Sequence, residues 1–331
     1  MSMRFRSAMV LWLVLAVLPV AGAAWAATIT IVTPADSSCV ESCYLNLVAT
    51  FSESSPGLLR VAVGGQTYTR QITSGQQKSP VCFNVMLDNG LNRIDLSLVS
   101  GNRIIATSSV QVYLRSAVLK AYQHPPAGFK QYYFHSVENE ALCGTCHRME
   151  ASLYDLRPAR LEDSPCYSCH KNTVNAAYKH APAAAGACFS CHETVRGQRK
   201  YRTSKPDRVT CFVCHSAQNK LWSNKRVHHG PTAVGNCTLC HDPHGSQWPA
   251  FVRMHPTDLC LNCHHDKKNG LHVIAGFFAK GHPVRAAVDP IKRDRSFSCA
   301  SCHNPHAGDT QNLLNGKRDN QASYCQSCHK L

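Results

Sequence analysis

The chain has 331 residues, enough for two domains of ordinary size, and it contains 19 Cys and 19 His with a formal net charge of +15. An odd number of cysteines excludes a framework in which every thiol is paired within the chain. A basic excess of this size is typical of proteins that bind nucleic acid or membranes, unless other acidic groups offset it.

The first 26 residues have the pattern of a signal peptide. Arg4 and Arg6 form a basic start, the apolar run AMVLWLVLAVLPVAGAAWA follows, and alanines flank Trp25 at its end. The run is short for a membrane span, and an uncleaved N-terminal anchor is the alternative. We therefore predict that residues 1–26 are removed and that the protein is exported to the periplasm or to the extracellular side, including the cell surface.

Residues 27–115 have the pattern of an all-β domain. Seven segments alternate apolar and polar residues, and Gly, Asn, Ser or Pro turns separate them: TITIV, CYLNLVATF, LLRVAV, QTYTRQI, VCFNVML, LNRIDLSLV and SVQVYL. This spacing predicts an Ig-like β-sandwich. Cys39, Cys43 and Cys82 lie in this domain, and one disulfide is expected without a choice of partners. Residues 116–134, which include HPPAGF, are predicted to be a linker.

Residues 135–331 contain one pentapeptide eight times. Cys-x-x-Cys-His occurs as CGTCH, CYSCH, CFSCH, CFVCH, CTLCH, CLNCH, CASCH and CQSCH. Zinc ribbons and thioredoxin-like sites also use CxxC, but neither needs an adjacent histidine after every pair. The pentapeptide is the attachment signature of c-type haem, in which two thiols bind the porphyrin and the histidine binds its iron. Regular structure is dispensable where such bonds fix the chain.

The motifs are grouped in pairs. The steps between their first cysteines are 23, 22, 23, 26, 23, 39 and 26 residues, which divides the region into four modules that begin at Cys143, Cys188, Cys237 and Cys299. In the first three modules a histidine lies eight residues before the first cysteine, and in the fourth, His282 lies seventeen residues before it. The region is therefore an internal repeat of two-haem units.

The paired motifs, together with CHDPHGS (240–246) and CHNPHAG (302–308), resemble the doubled-CxxCH family of bacterial multihaem c-type cytochromes. The resemblance covers roughly residues 120–331. It implies a helix-poor cytochrome c domain of loops and short helices around a haem chain, and a role in anaerobic respiration. ITIVTPADSSCV also resembles the first strand and turn of bacterial Ig-like modules.

The sequence predicts eight covalently bound haems c. The attaching thiols are Cys143, Cys146, Cys166, Cys169, Cys188, Cys191, Cys211, Cys214, Cys237, Cys240, Cys260, Cys263, Cys299, Cys302, Cys325 and Cys328. The proximal iron ligands are His147, His170, His192, His215, His241, His264, His303 and His329. The predicted distal ligands are His124, His135, His180, His229, His244, His272, His282 and His306. His228, His255 and His265 are left over.

His244 and His306 are predicted to ligate a haem other than the one on their own motif. Three residue steps separate His241 from His244, a reach of at most about 10 Å. Pro243 also bends this short path. Such a segment cannot pass round the rim of a porphyrin to its other face, so each of these histidines should connect two haems.

Histidine on both faces of the iron is typical of electron carriers rather than enzymes. Eight haems would also bring sixteen propionates, which offset most of the basic charge and disfavour nucleic-acid binding. We expect an electron carrier whose partners are periplasmic or outer-membrane cytochromes and quinol-linked donors of the inner membrane. The sandwich would either contact a partner, metal oxides or the cell surface, or serve as a passive spacer. The alternatives are a multihaem reductase of nitrogen or sulfur oxyanions and a self-assembling subunit of an extracellular cytochrome filament.

Overall fold

The computed structural model describes residues 27–52, 56–73, 79–152, 155, 158–194, 200–274, 281–315 and 325–329. The predicted signal peptide, residues 1–26, lies outside the described residues. All of the predicted haem-attaching cysteines and iron-ligating histidines lie within them.

The N-terminal region is mostly β-structure, as predicted. Its strands are β1 (Ile29–Thr33), β2 (Ser38–Val40), β3 (Tyr44–Phe51), β4 (Gly57–Val63), β5 (Gln66–Ile72), β6 (Val81–Met86), β7 (Gly90–Ser100) and β8 (Arg103–Leu114). Seven of them match the seven alternating segments of the sequence, and β2 is additional. In β7, Ile94, Leu96 and Leu98 are buried while the residues between them face outward, which is the period of two expected for a strand with one buried face.

The strands form two sheets that enclose an apolar core. One sheet has the order β1-β3-β6, and the other has the order β5-β4-β7-β8-β2 and is extended by β9 (Lys130–Gln131). Leu47 of the first sheet and Leu59 of the second are fully buried in one cluster. Neighbouring strands of the long sheet are antiparallel from β5 to β8, whereas β2 runs parallel to both β8 and β9. The region is a two-sheet sandwich, a layout that is not specific to Ig-like domains.

The segment predicted as a linker packs against this sandwich. Strand β9 lies within it, and the backbone N–H of Tyr132 donates to the carbonyl of Cys39 at 2.8 Å. The hydroxyl of Tyr132 also forms a hydrogen bond with Thr33. Residues 130–132 are thus attached to the edge of the long sheet.

The C-terminal region has few and short helices. They are α1 (Val137–Cys143), α2 (Tyr167–His170), α3 (Ala181–Ala184), α4 (Arg208–Cys214), α5 (Ser216–Ser223), α6 (Gly230–Ala233), α7 (Pro256–Leu261) and α8 (Cys299–Cys302). Two two-stranded ladders join distant segments: β10 (Tyr178–Lys179) with β12 (Gly245–Ser246), and β11 (Val227–His228) with β13 (Ala307–Gly308). Across the part of the chain that the structure describes, no helix has the length and apolarity needed to cross a bilayer.

The two regions differ in how they bury apolar side chains. Among the described residues after Val118, only Phe297 and Ala307 are buried apolar residues. A chain segment of this length without an apolar core is not stabilised by protein packing alone. Bound porphyrins would supply the apolar surface that the protein itself lacks here.

Candidate haem-binding site

Each of the eight CxxCH motifs closes one helical turn. In every motif the backbone N–H of the histidine donates to the carbonyl oxygen of the first cysteine, at 2.9–3.1 Å. Residues three and four positions apart share a face of a helical turn, so both thiols and the imidazole are directed to the same side. The local fold therefore presents the three attachment groups of a c-type haem together.

Seven of the eight motif histidines face a second imidazole. The ring centres are 5.9–6.4 Å apart in the pairs His135–His170, His180–His215, His192–His244, His229–His264, His241–His306, His272–His303 and His282–His329. A metal–imidazole bond of about 2 Å on each side of one metal ion puts two ring centres roughly 6 Å apart. The pairs thus have the spacing that ligation of one iron from both faces requires.

The pairs follow a rule of the repeat. The histidine that precedes each module faces the second motif of that same module, as His180 faces His215. The histidine of a module's first motif faces a histidine of the next module: His192 faces His244, and His241 faces His306. His244 and His306 are therefore placed opposite motifs other than their own. In the last module His303 faces His272, which lies in the long step before it.

The hydrogen bonds of the imidazole rings involve Nδ1 and leave Nε2 available to bind a metal. The Nδ1 atoms of the first-motif histidines His192, His241 and His303 bond backbone carbonyls nine residues downstream, at 2.7–2.8 Å. Among the facing histidines, Nδ1 of His180 bonds the carbonyl of Pro243 at 2.8 Å. A ring that donates from Nδ1 has its lone pair on Nε2, which is how metal-ligating histidines are usually oriented.

Two other facing histidines use carboxylates in place of carbonyls. Nδ1 of His135 lies 2.9 Å from Oε1 of Glu140, and Nδ1 of His244 lies 3.1 Å from Oδ1 of Asp242. Glu140 is itself held by the Lys200 ammonium at 2.8 Å, in an ion pair whose two side chains are largely buried. A carboxylate acceptor makes an imidazole a more basic ligand than a carbonyl does.

Burial keeps paired imidazoles neutral, the form that binds a metal. Loss of solvation, together with a smaller effect of nearby imidazoles, lowers the pKa of His170 and of His306 to about 4. Burial is also the main cause that lowers the pKa values of His192 and His229.

Three histidines outside the pairs have other environments. His228 uses Nε2 to bond the carbonyl of Trp222 at 2.8 Å. His255 is buried and uses both ring nitrogens, one toward Ser296 and the other as acceptor for the N–H of Thr257. His265 is exposed.

His124, predicted to be a distal ligand, is exposed, and its ring contacts no motif histidine within the described ranges. His147, the histidine of the first motif, has no facing imidazole among these residues either. The structure therefore brings seven of the eight predicted distal ligands to a motif histidine and leaves His124 apart.

Cysteines of consecutive motifs are neighbours. The first thiols of neighbouring motifs lie next to each other across three module boundaries, in the pairs Cys166–Cys188, Cys211–Cys237 and Cys260–Cys299. Within modules, burial and then the thiol of the partner motif raise the pKa values of Cys143, Cys191 and Cys240, whose neighbours are Cys169, Cys214 and Cys263. The first seven motifs therefore follow one another in space in the order of the sequence.

The sandwich contacts the first module, which sequence reasoning did not anticipate. Nδ2 of Asn84, in β6, donates to the carbonyl of Cys169 at 3.2 Å, and Asn172 donates to Asn84. Burial raises the pKa of the neighbouring thiol Cys82, and the thiols of Cys169 and Cys143 add to this effect. Cys39, Cys43 and Cys82 are all free thiols, so the expected disulfide is not formed in this structure.

The comparisons with known proteins agree with this chemistry. A family model described as "Doubled CXXCH motif" matches residues 180–220, 229–269 and 289–331. The chain is also similar to the multiheme cytochrome MtrA of Shewanella baltica (strain OS185), with 25% identity over 113 residues. That match covers 33% of this chain and 34% of the relative, so the chain spans about a third of the relative's length. The C-terminal region thus resembles multihaem cytochromes, and its doubled CXXCH motifs indicate covalently bound haem c.

Proposed function

We propose that this chain is an octahaem electron-transfer cytochrome in which seven irons have histidine on both faces. The seven imidazole pairs at 5.9–6.4 Å carry this proposal. Two further features fit the same cofactor. The Nδ1 hydrogen bonds leave Nε2 available to bind the iron. Large apolar side chains such as Val213, 77% exposed within the fourth motif, offer contact surface for a porphyrin.

The haem iron would supply the reversible one-electron change between ferric and ferrous states. The protein's part is to fix geometry. In each motif two thiols would hold the haem through thioether bonds, and at seven of the motifs two imidazoles would hold the iron in the same coordination in both oxidation states. Contact between thiols of consecutive motifs, as between Cys166 and Cys188, would keep neighbouring haems close, so the first seven motifs would form a path in sequence order.

The cellular setting belongs to the same proposal. The basic, apolar and small-residue pattern of residues 1–26 supports export to the periplasm or the extracellular side. Covalent attachment suits such a location, because a haem held only by coordination can be lost outside the cell. The partners are other redox proteins, with metal oxides or the cell surface reached through the sandwich.

Intact mass and haem-dependent reduction test the function. The mature chain should exceed its apoprotein mass by eight haems, and a reduced sample should transfer electrons to a soluble cytochrome without sustained turnover of nitrite or sulfite. A chain with fewer haems, or with bound zinc, contradicts the proposal, and steady nitrite or sulfite reduction would make it a reductase. Haem staining of fractionated cells tests the location.

A further inference from the structure

Two junctions between modules are built in the same way. Where the second module meets the third, β10 pairs with β12, and His180 donates from Nδ1 to the carbonyl of Pro243. Where the third meets the fourth, β11 pairs with β13. At each junction the histidine that follows the proline, His244 or His306, faces the first motif histidine of the preceding module. A module therefore completes the first haem site of the module before it.

The junction between the first and second modules lacks the histidine that would complete the first haem site of the first module. His244 and His306 each lie three positions after a motif histidine, and in the second module the residue at that position is Val195. The proline that precedes them is replaced as well, by Thr194. The second module therefore has no histidine at the position that would complete the site of His147.

The first junction is held together by other contacts. Lys200 of the second module pairs with both Glu140 and Glu150 of the first, at 2.8 and 2.9 Å. The hydroxyl of Tyr201 donates to the carbonyl of Met149 at 2.9 Å. The two modules are thus joined by an ion-paired contact instead of the ladder and the proline carbonyl used at the later junctions.

The remaining histidines do not replace the missing ligand. His228 and His255 use their Nε2 atoms in hydrogen bonds. His265 is adjacent in sequence to His264, which already faces His229. His124 is exposed, and no motif histidine lies near its ring among the described residues.

A cavity adjoins the first motif. It has a volume of about 350 Å³, and Cys146 and His147 form part of its wall together with Ser164, Pro165 and Tyr167. His147 is exposed, and its motif is the first of the row, joined to the second through Cys143 and Cys169. A haem attached at this motif would occupy the cavity beside its own thiol and imidazole, and the exposed position of the motif places this end of the row within reach of small molecules from solvent.

We propose that the iron bound by His147 has an open sixth position and takes a small neutral diatomic ligand, such as carbon monoxide or nitric oxide, in the ferrous state. The inference rests on the proposed function, because it requires that a haem be attached at Cys143 and Cys146. A ligand of this class binds ferrous iron preferentially, so it raises the potential of the first haem and holds the end of the row reduced.

Carbon monoxide titration of the dithionite-reduced, full-length holoprotein tests this directly. One CO per chain is expected, with a single high-spin ferric haem in the electron paramagnetic resonance spectrum of the oxidised protein. The double variant Cys143→Ser/Cys146→Ser should carry seven haems and bind no CO. Val195→His, which restores the histidine of the repeat, should also lose CO binding while eight haems remain attached.

The outcomes separate this inference from the proposed function. Fewer than eight haems in the native chain contradicts the function itself. Eight haems that are all low-spin and bind no CO overturn the open position alone, and CO binding that appears only in His124→Gly would identify His124 as the ligand. CO binding that persists in both the double cysteine variant and V195H would place the open iron at another motif.

Discussion

The imidazole of His244 lies 6.0 Å from that of His192, and their planes are 9° from parallel, although His244 follows His241 by only three residues. The same relationship recurs one module later between His306 and His241. Each of these short segments contains a motif histidine and a second histidine that faces another motif, so under the proposed function it would contribute ligands to two haems. Three peptide units would thereby fix the two haem sites to each other and resist any change in their separation.

Replacement of His244 by glycine should affect a haem on a different motif. We expect the haem on Cys188 and Cys191 to become high-spin and able to bind CO, while the haem on Cys237 and Cys240 remains six-coordinate. The native protein should bind one CO per chain and the variant two, measured by titration of the reduced protein. His228→Gly is the matched control, because His228 bonds a backbone carbonyl through Nε2, and it should leave the titration unchanged. An unchanged spin state in H244G would show that His192 has another partner.

The carboxylate on His135 should make the second haem of the first module one of low potential. Glu140→Gln replaces a charged acceptor at Nδ1 by a neutral one, which weakens the donation of charge to the iron and destabilises the ferric state. The difference between charged and neutral hydrogen bonds is about 1 kcal/mol, so we expect one midpoint to rise by roughly 40 mV. The measurement is a spectroelectrochemical titration of the holoprotein.

The neighbouring cation supplies the control for that experiment. Lys200 bonds Oε2 of Glu140, so Lys200→Met removes a positive charge near the same haem and should lower its midpoint. Opposite shifts in E140Q and K200M would show that charge, rather than a packing defect, sets the potential. Shifts of the same sign in both variants would contradict this explanation.

Local patterns in the sequence predicted most of the fold and of the site. Seven strands alternate clearly because one face of each is buried in the sandwich, and CxxCH carries its own geometry in a single turn. Strand β2 was missed because three residues are too few for a period of two to show. Strand β9 was missed for the same reason, and HPPAGF just before it reads as a connector.

The pairing of the histidines could be predicted only in part. The repeat predicts that His135, His180 and His229 are iron ligands. The iron that each one would bind depends on how the modules stack, which is a long-range property of the fold. The acceptors that orient His192, His241 and His303 are backbone carbonyls, and a carbonyl is present whatever the side chain is. No residue type could have indicated them.

Asp289 should make the last module sensitive to acid. Burial alone would raise its pKa, but hydrogen bonds from Ser301, from the backbone of Lys292 and Ile291 and from Arg295 outweigh this and lower the pKa to about 2. Because the folded pKa lies below the unfolded value of about 3.9, the carboxylate stabilises the fold above pH 4, and this contribution is lost as the pH falls toward 2.

Replacement by asparagine isolates this contribution. At pH 7 we expect Asp289→Asn to lower the free energy of unfolding by about 2 kcal/mol. The difference between native protein and variant should shrink as the pH is lowered from 4 to 2, in denaturant titrations of the two holoproteins. Asp294→Asn, an exposed neighbour, is the control and should cost little at any pH. A difference in the free energy of unfolding that stays constant with pH would mean that Asp289 stabilises the fold through the shape of its side chain and not through its negative charge.

The contact made by Asn84 should hold the sandwich against the first haem module. Its side chain bonds Asn46 within the sheet, the carbonyl of Cys169 and the amide of Asn172, so one residue links a strand to the second motif. Asn84→Ala leaves these groups without their partners at a cost of about 1–3 kcal/mol. We expect amide hydrogen exchange in residues 166–172 to accelerate by roughly tenfold. Asn102→Ala, in the exposed turn between β7 and β8, should leave this segment unchanged. Equal exchange in native protein and N84A would show that the first module keeps its structure without the contact made by Asn84.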